Sequence, residues 1–421
     1  MKYRVDKMAE VNKLISHVTN ENECKLPGMP VFTRTLDLLN QARLEPYHRR
    51  ATEFKPQLHW GQLKLFLTEV EFLTQVRQIT QKLYGSPKTF FKLQEVENKQ
   101  YKGGRDKISS ESEDFVPLRT KNSTPKIILI YPGAAPGNHT NYLHSMFPEM
   151  DFHLYDMQKF ATRPNKQIHL YEQYFFEEDA RKWKSTIDKM RQSGQNVVVA
   201  LCSDIRTEPA TEEEVAKNME MQRIWWEIME PDLTMFKFRL PWKPGTTIYP
   251  KGEIYIQPFA GQTSTETRLI FGKKQPLIEY NNQAYEQAMF FHNTKARNCL
   301  WKSQFNVVPT LHADGFCTCY DCTALVWILS DYLGFDHQRP FSPDEQKILK
   351  NLIGDMERHM GSKQTQTILS QTKESHKKIQ TFIKQYEANP ELLEIPSDEA
   401  LKKRTAKSRF KIQTKAMANK K

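Results

Sequence analysis

The sequence is poor in the features that mark several large classes of protein. Only six cysteines occur among 421 residues, too few for a disulfide scaffold in a chain of this length. No apolar run approaches the ~20 residues that span a bilayer, and the most apolar one, residues 323–329, suits a buried helix. The first residues, MKYRVDKMAEVNKL, carry charges where a secretory signal needs an apolar stretch. We therefore expect neither secretion by that route nor a membrane partner.

The positive charge is concentrated at one end of the chain. The formal net charge is +11, yet nine of the 61 Lys and Arg residues lie within residues 401–421, which contain no Asp or Glu. The remaining 52 basic residues nearly balance the 50 acidic ones. Such a tail is typical of a solvated arm. Its charge alone would suit RNA, an anionic protein or a membrane surface, and of these no membrane is expected as a partner.

Short apolar runs alternate with helical stretches in the middle of the chain. This alternation predicts a doubly wound α/β sheet flanked by helices. Three later runs with short connections predict antiparallel additions at the end of the sheet. The predicted helices are residues 62–83 and 177–191, with mainly helical signals from residue 283 onward. The predicted strands are residues 126–131, 151–155, 168–171 and 196–201, followed by 233–240, 253–259 and 267–271.

Composition divides the chain into four predicted parts. Residues 1–58 form an N-terminal extension and residues 336–400 a helical C-terminal region. The core, residues 59–335, contains a polar insertion at residues 96–125, and residues 401–421 are the basic tail.

A glycine-containing loop follows the first predicted strand, in the sequence YPGAAPGNH of residues 131–139. Glycine at a strand-to-helix turn lets the backbone approach a ligand closely. The loop lacks the GxGxxG pattern of nicotinamide cofactors and the Lys-Ser/Thr ending of a phosphate-binding loop. Asp156 ends the next strand, where a carboxylate can accept the hydroxyls of a ribose. These features point to S-adenosylmethionine, while an ordinary Gly-Pro turn remains the alternative.

Four ionisable residues interrupt apolar segments or follow them directly. They are Lys64, Asp204, Lys237 and Glu266. Each one alone is explained as well by a lysine that extends to solvent or by a carboxylate that caps a turn.

Taken together, these residues carry a resemblance to a known family. The segments are GQLKLFLTEVEFL (61–73), YPGAAPGNHTNYL (131–143), CSDIR (202–206), KFRLPW (237–242), YIQPFAGQTSTETRL (255–269) and AYEQAMFFHNTKARN (284–298). In this order they resemble the poxvirus-type cap-specific mRNA 2′-O-methyltransferases, which also serve as regulatory subunits of viral poly(A) polymerases. The resemblance implies a Rossmann-like S-adenosylmethionine-dependent methyltransferase fold.

The resemblance also implies a catalytic tetrad of Lys64, Asp204, Lys237 and Glu266. A ribose 2′-hydroxyl is a poor nucleophile until it loses its proton, so a base must lie within hydrogen-bond reach. Lys237 would be the base in its neutral form, which a second cation, Lys64, and partial desolvation favour and which the charges of Asp204 and Glu266 oppose. Asp204 and Glu266 would orient the two amino groups.

The cofactor and cap contacts that the resemblance implies involve further residues. Around S-adenosylmethionine it places Gln62, Tyr131, Gly133, Ala135, Gly137, His139 and Asp156. An arginine of the family is replaced here by Gln158. For 7-methylguanine it implies a stack on Trp242 and on a second ring, for which we suggest Tyr47, with Glu286 on the base edge. A second acidic contact of the family is replaced by Lys243 and Pro244. A core tryptophan is the alternative explanation of Trp242.

A cysteine cluster lies outside the segments that carry the resemblance. His312, Cys317, Cys319 and Cys322 occur within eleven residues, and three thiolates with one imidazole suit tetrahedral zinc. The spacing is not that of paired CxxC motifs, so reduced cysteines at a helix start explain the cluster as well.

Three functions remain open from the sequence. The first is methylation of the 2′-hydroxyl of the first transcribed nucleotide of capped mRNA, and the second is RNA binding as the non-catalytic subunit of a viral poly(A) polymerase. The third is 2′-O-methylation of uncapped RNA. The partners expected are capped mRNA and a viral polymerase catalytic subunit, and the expected location is the host cytoplasm or the virion.

Overall fold

The computed structural model describes residues 63–85, 124–207, 211–242, 244–260, 264–293, 320–337 and 339–360. Its helices are α1 (Leu63–Tyr84), α2 (Thr140–Met146), α3 (Glu177–Gln192), α4 (Glu212–Met229), α5 (Asn282–Phe291), α6 (Tyr320–Tyr332) and α7 (Pro343–Met360). The strands are β1 (Lys126–Pro132), β2 (Met150–Tyr155), β3 (Ile168–Tyr171), β4 (Val197–Ser203), β5 (Leu233–Phe238), β6 (Thr246–Pro250), β7 (Glu253–Tyr255), β8 (Thr267–Gly272) and β9 (Leu277–Asn281).

A seven-stranded mixed sheet, flanked by helices, is the main feature of the fold. Its strand order is β3-β2-β1-β4-β5-β8-β7, and the first five strands are parallel neighbours. The order 3-2-1-4-5 is that of a doubly wound Rossmann-like sheet. Strand β4 is buried along its whole length, which is typical of a parallel strand covered on both faces. The predicted fold class is therefore confirmed.

One predicted strand direction is wrong. Residues 233–240 were expected to add an antiparallel strand, but β5 is parallel to β4, and Cys202 is in register with Met235. The reason is α4, which the sequence analysis did not identify as a helix and which supplies the crossover that a parallel connection requires. Helix α4 begins where the Thr211 hydroxyl accepts the Glu214 N–H at 3.2 Å. Three glutamates in its first turn favour the same start.

The structure also contains a two-stranded ribbon that the sequence analysis did not predict. Strands β6 and β9 pair antiparallel, with Ile248 opposite Glu279. The ribbon buries Tyr249 and Tyr280 on one face, while Ile248 on the other face is 60% exposed. Because only one face is apolar and the strands are short, the pattern in this segment resembles a polar loop.

The contacts divide the chain into two compact units. Among the described residues, the first unit contains residues 63–71, 238–269 and 277–360, and the second contains residues 72–237 and 270–276. The second unit contains the parallel strands as far as Lys237, with α2, α3 and α4. The first contains the β6–β9 ribbon, β7 and helices α5, α6 and α7. The predicted four-part division stays a prediction. No helix in the described part of the chain is both long and apolar enough to cross a membrane.

Candidate active site

The loop after β1 approaches the segment after β4 so closely that residue 133 must be glycine. Gly133 has a φ of +81°, and its N–H donates to the Tyr155 carbonyl at 2.8 Å. A Cβ at this position would lie 2.6 Å from the Ile205 nitrogen and 2.7 Å from the Asp204 carbonyl carbon. Both the left-handed backbone and this close approach require the absence of a side chain.

The second glycine of the loop is similarly constrained. Gly137 has a φ of +63°, and a Cβ there would lie 2.4 Å from the Thr162 hydroxyl oxygen. That hydroxyl donates to the Gly137 carbonyl at 2.8 Å. The loop is thus packed tightly against the Asp204 segment at Gly133 and against Thr162 at Gly137.

Asp156, at the end of β2, holds the loop. Its Oδ2 accepts the Ala135 N–H at 3.1 Å, and its Oδ1 accepts the Gln158 N–H at 2.9 Å. Each carboxylate oxygen has two lone pairs, so the group can still accept further hydrogen bonds. The side chain of Gln158, where the family has arginine, is exposed.

Of the other residues assigned to cofactor contacts, Tyr131 is buried in β1 and His139 is half-buried at the start of α2. Gln62 lies outside the described residues.

Lys237 and Asp204 form an ion pair at the carboxyl end of two neighbouring parallel strands. Lys237 Nζ lies 3.0 Å from Asp204 Oδ1 and 3.5 Å from the Asp204 carbonyl oxygen. The Asp204 N–H donates to the Pro132 carbonyl at 3.1 Å, which links this pair to the end of β1. Ligands of open α/β sheets bind at this edge. The lysine side chain is 15% exposed, so the pair is largely shielded from water.

Lys64 and Glu266 form a second ion pair, in the first compact unit. Lys64 Nζ donates to Glu266 Oε1 at 2.6 Å. The same oxygen accepts from Arg268 Nη1 at 3.2 Å. One buried carboxylate therefore serves two cations. The four residues of the predicted tetrad thus occur as two ion pairs, Lys237–Asp204 and Lys64–Glu266.

A buried phenol fixes the backbone next to Glu266. The Tyr285 hydroxyl, on α5, donates hydrogen bonds to the carbonyls of Thr265 and Phe238. It also lies 2.9 Å from the Thr267 hydroxyl. Burial raises the pKa of Tyr285, so the phenol keeps its proton. The tyrosine therefore connects the end of β5 with the start of β8.

Trp242 has one ring face against a cation. The indole is 43% exposed, its Nε1 donates to the Thr265 hydroxyl at 3.2 Å, and Arg239 Cζ lies 4.2 Å from the ring centroid. This exposure excludes the alternative of a core tryptophan. Glu286 is half-buried on α5. Tyr47 and Lys243 lie outside the described residues, and Pro244 is exposed.

Most of the predicted zinc ligands lie outside the described residues. This applies to His312, Cys317 and Cys319, whereas Cys322 is a buried thiol in α6. The described part of the chain contains no group of three or more residues suited to a metal ion. The zinc site stays a prediction.

The sequence analysis missed three residues around these pairs, namely Arg239, Arg268 and Tyr285. Arg268 gave the same signal that identified Lys237, a charged residue inside an apolar strand. Tyr285 gave no signal, because a tyrosine on a helix face is ordinarily a core residue.

Comparisons with known proteins give one family match. The family described as poly A polymerase regulatory subunit matches residues 117–335 of this chain.

Curated relatives include two proteins named cap-specific mRNA (nucleoside-2′-O-)-methyltransferase. The one from Fowlpox virus (strain NVSL) is 29% identical over 205 residues, which cover 43% of this chain and 62% of the relative. The one from Myxoma virus (strain Lausanne) is 26% identical over 191 residues, which cover 40% of this chain and 54% of the relative. The chain thus matches just over half the length of these relatives.

A solved structure of bluetongue virus VP4, described as a multifunctional RNA-capping production line, gives a TM-score of 0.32 at 11% identity. The match covers 56% of this chain and 43% of that one, and at this score it supports no conclusion.

Proposed function

The chain belongs to the poly A polymerase regulatory subunit family, and from this premise we propose that it is a cap-specific mRNA 2′-O-methyltransferase. It transfers a methyl group from S-adenosylmethionine to the 2′-hydroxyl of the first transcribed nucleotide. The observation that carries the proposal is the shielded Lys237–Asp204 pair at the ligand-binding edge of a doubly wound sheet. The names of the two curated relatives support it.

The loop after β1 suits the cofactor. Its two glycines let it pack directly against the Asp204 segment and Thr162 at the ligand-binding edge of the sheet, and the Asp156 carboxylate retains lone pairs for ribose hydroxyls. When bound, S-adenosylmethionine supplies a methyl group attached to a sulfonium sulfur, which leaves readily as a neutral thioether. Tyr131, Ala135 and His139 complete the described part of the proposed cofactor site, to which Gln62 also belongs.

Lys237 is the proposed base. In its neutral form the amine accepts the proton of the 2′-hydroxyl while the ribose oxygen bonds to the methyl carbon and the carbon–sulfur bond breaks. The Asp204 carboxylate, whose Oδ1 lies 3.0 Å from Lys237 Nζ, fixes the position of the nitrogen. Lys64 and Glu266 act with this pair in the proposed tetrad, where Glu266 holds the Lys64 ammonium.

Cap recognition is assigned to Trp242 and Glu286, with Tyr47 as the second ring. A 7-methylguanine is cationic, so an aromatic face and a carboxylate both favour it over unmethylated guanine. The exposed ring of Trp242 supports this assignment. Arg239 against that ring adds positive charge, and so does Lys243, the residue after Trp242 in the sequence, so we expect weaker cap binding than with an acidic neighbour.

A second function is favoured by the family description. As a regulatory subunit, the protein would bind a poly(A) polymerase and hold RNA during tail synthesis. The two functions separate by mutation, because changes in the tetrad should abolish methyl transfer and preserve any stimulation of tailing.

The test is transfer of labelled methyl from S-adenosylmethionine to short RNAs that begin with m7GpppN, GpppN or an uncapped end. Digestion of the product locates the label. Label on the first-nucleotide 2′-hydroxyl that depends on the N7-methyl and is lost in Lys237→Ala supports the proposal. Label on uncapped RNA alone identifies a different RNA substrate, and absence of transfer with cofactor still bound leaves the regulatory role.

A further inference from the structure

Arg268 is a guanidinium buried inside the apolar β8. Its exposed fraction is 1%, and its neighbours Leu269 and Ile270 are 0% and 4% exposed. Burial of a charge is costly unless the group is paired and hydrogen-bonded. A core that needed only packing would have an aliphatic residue here, so the interactions of the guanidinium indicate its role.

Those interactions converge on Glu266. Arg268 Nη1 donates to Glu266 Oε1 at 3.2 Å and to the Thr267 carbonyl at 3.1 Å. The Lys64 ammonium reaches the same Oε1 at 2.6 Å. The arginine therefore joins a carboxylate to the adjacent backbone, while the lysine reaches that carboxylate from a separate helix.

We propose that Arg268 is a positioning residue, which holds Glu266 ionised and oriented so that the Lys64 ammonium has a fixed place during methyl transfer. The inference rests on the proposed function and adds a residue outside the tetrad. A lysine side chain is long and flexible, and Lys64 is 24% exposed, so its position depends on how firmly the carboxylate is held. The guanidinium is planar and keeps its charge, which suits it to hold that carboxylate.

Arg77 provides a matched control. Its Nε lies 2.8 Å from Glu149 Oε1 and its Nη2 donates to the Met146 carbonyl at 2.9 Å. It thus binds one carboxylate and one backbone carbonyl, as Arg268 does, but it contacts no residue of the tetrad in these bonds. If losing such an arginine lowered kcat through its structural effect alone, Arg77→Gln should also lower kcat, although the Arg77 side chain is 16% exposed and the Arg268 side chain 2%.

The experiment measures kcat and KM for both substrates, normalised to the folded fraction, in Arg268→Gln, Arg268→Lys and Arg77→Gln. We expect kcat of Arg268→Gln to fall about 10- to 100-fold, since a charge-assisted hydrogen bond is lost, with both KM values within about twofold. Arg268→Lys keeps the positive charge but loses the planar array of guanidinium N–H donors, so its kcat should fall about 3- to 10-fold. Arg77→Gln should keep its kcat.

A second readout does not depend on activity. Amine-reactive labelling followed by mass spectrometry measures the protection of Lys64, which should decrease in both Arg268 variants and not in Arg77→Gln. If the wild type transfers no methyl group to any RNA, the proposed function fails while the labelling still decides the role of Arg268.

Wild-type kcat in Arg268→Gln, a loss confined to KM, or unchanged protection of Lys64 would each overturn the inference. If Arg268→Gln does not fold, Arg268→Lys is judged by the same criteria.

Discussion

Lys237 Nζ lies 3.0 Å from Asp204 Oδ1, across two parallel strands that are neighbours in the sheet. If this lysine is the base, Lys237→Ala should lower methyl transfer about 100- to 10,000-fold, the usual contribution of a general base. Binding of S-adenosylmethionine, measured by calorimetry, should be unchanged. Lys184→Ala is the control, because it removes a lysine that pairs with Asp188 at 2.9 Å on α3. Similar activity in the two variants would exclude Lys237 as the base.

Gly133→Ala should weaken both folding and cofactor binding. The new Cβ would lie 2.6 Å from a backbone nitrogen that cannot move without displacing the Asp204 segment. Gly194→Ala is the control. Gly194 has nearly the same φ, +82°, but a Cβ there meets nothing within 4 Å, so this variant has the backbone strain without the steric clash.

Urea titration should therefore show a loss of about 1–2 kcal/mol for Gly194→Ala and a larger one for Gly133→Ala. Only Gly133→Ala should lose cofactor affinity. Equal losses of stability would mean that the loop moves to accommodate the methyl group.

Tyr285→Phe should reduce both stability and kcat. Without the hydroxyl, the Thr265 carbonyl loses a buried donor and the Thr267 hydroxyl loses a neighbour, at a cost of about 1–3 kcal/mol. Because Thr265 precedes Glu266, the carboxylate should become less well placed. Tyr280→Phe removes a comparable phenol, which donates to the Pro250 carbonyl at 2.8 Å in the ribbon. It should lower the melting temperature without lowering kcat, and equal kcat values in both variants would contradict this role of Tyr285.

Trp242→Ala and Arg239→Ala should have opposite effects on cap binding. The first removes the proposed stacking ring and should lower affinity for m7GTP about tenfold. The second removes a guanidinium that lies 4.2 Å from the same ring, and should raise that affinity about threefold or more. Fluorescence titration with m7GTP measures both, and GTP is the control ligand, for which the changes should be smaller. A loss of m7GTP affinity in Arg239→Ala would place the arginine among the ligand contacts.

Stability should fall as the pH drops from about 6.5 towards 4, in part because of one histidine. Burial, and then charge repulsion from His169, whose ring centroid lies 4.5 Å away, lower the pKa of His153 to about 4. Between the two pKa values the unfolded chain binds a proton that the folded chain does not, so protonation favours unfolding. His153→Gln should reduce this pH dependence by on the order of 2 kcal/mol. Chemical denaturation across this pH range measures the free energy of unfolding of both proteins.

The sequence predicted the parallel part of the sheet because buried parallel strands form short apolar runs that stand out from polar helices. The prediction of an antiparallel direction for β5 was wrong, because the direction of a strand depends on the connection before it. That connection is α4, which carries too many polar residues to be recognised by its apolar face. The sequence analysis missed β6 and β9 because a ribbon with one buried face gives a weak pattern in five-residue strands.

The candidate site was predictable where a residue is unusual in its own segment. Lys64, Lys237 and the loop glycines interrupt an apolar or regular context, so they are visible along the chain. Tyr285 and Arg239 are not visible in that way, because their roles arise from contacts with residues distant in sequence, such as the Thr265 carbonyl. Arg268 was visible, and it was overlooked because the resemblance gave it no role.

Asp156 closes the loop after β1 by accepting the Ala135 N–H, and it fixes the segment after β2 by accepting the Gln158 N–H. The loop therefore has its shape before any ligand arrives, and its conformational entropy is lost when the chain folds. A ligand that binds there orders little further chain, so most of its interaction energy is available as affinity. Association also need not wait for a slow closure, and its rate should be governed by diffusion and charge. A variant that loosens this turn should bind the same ligand more slowly and with a larger unfavourable entropy.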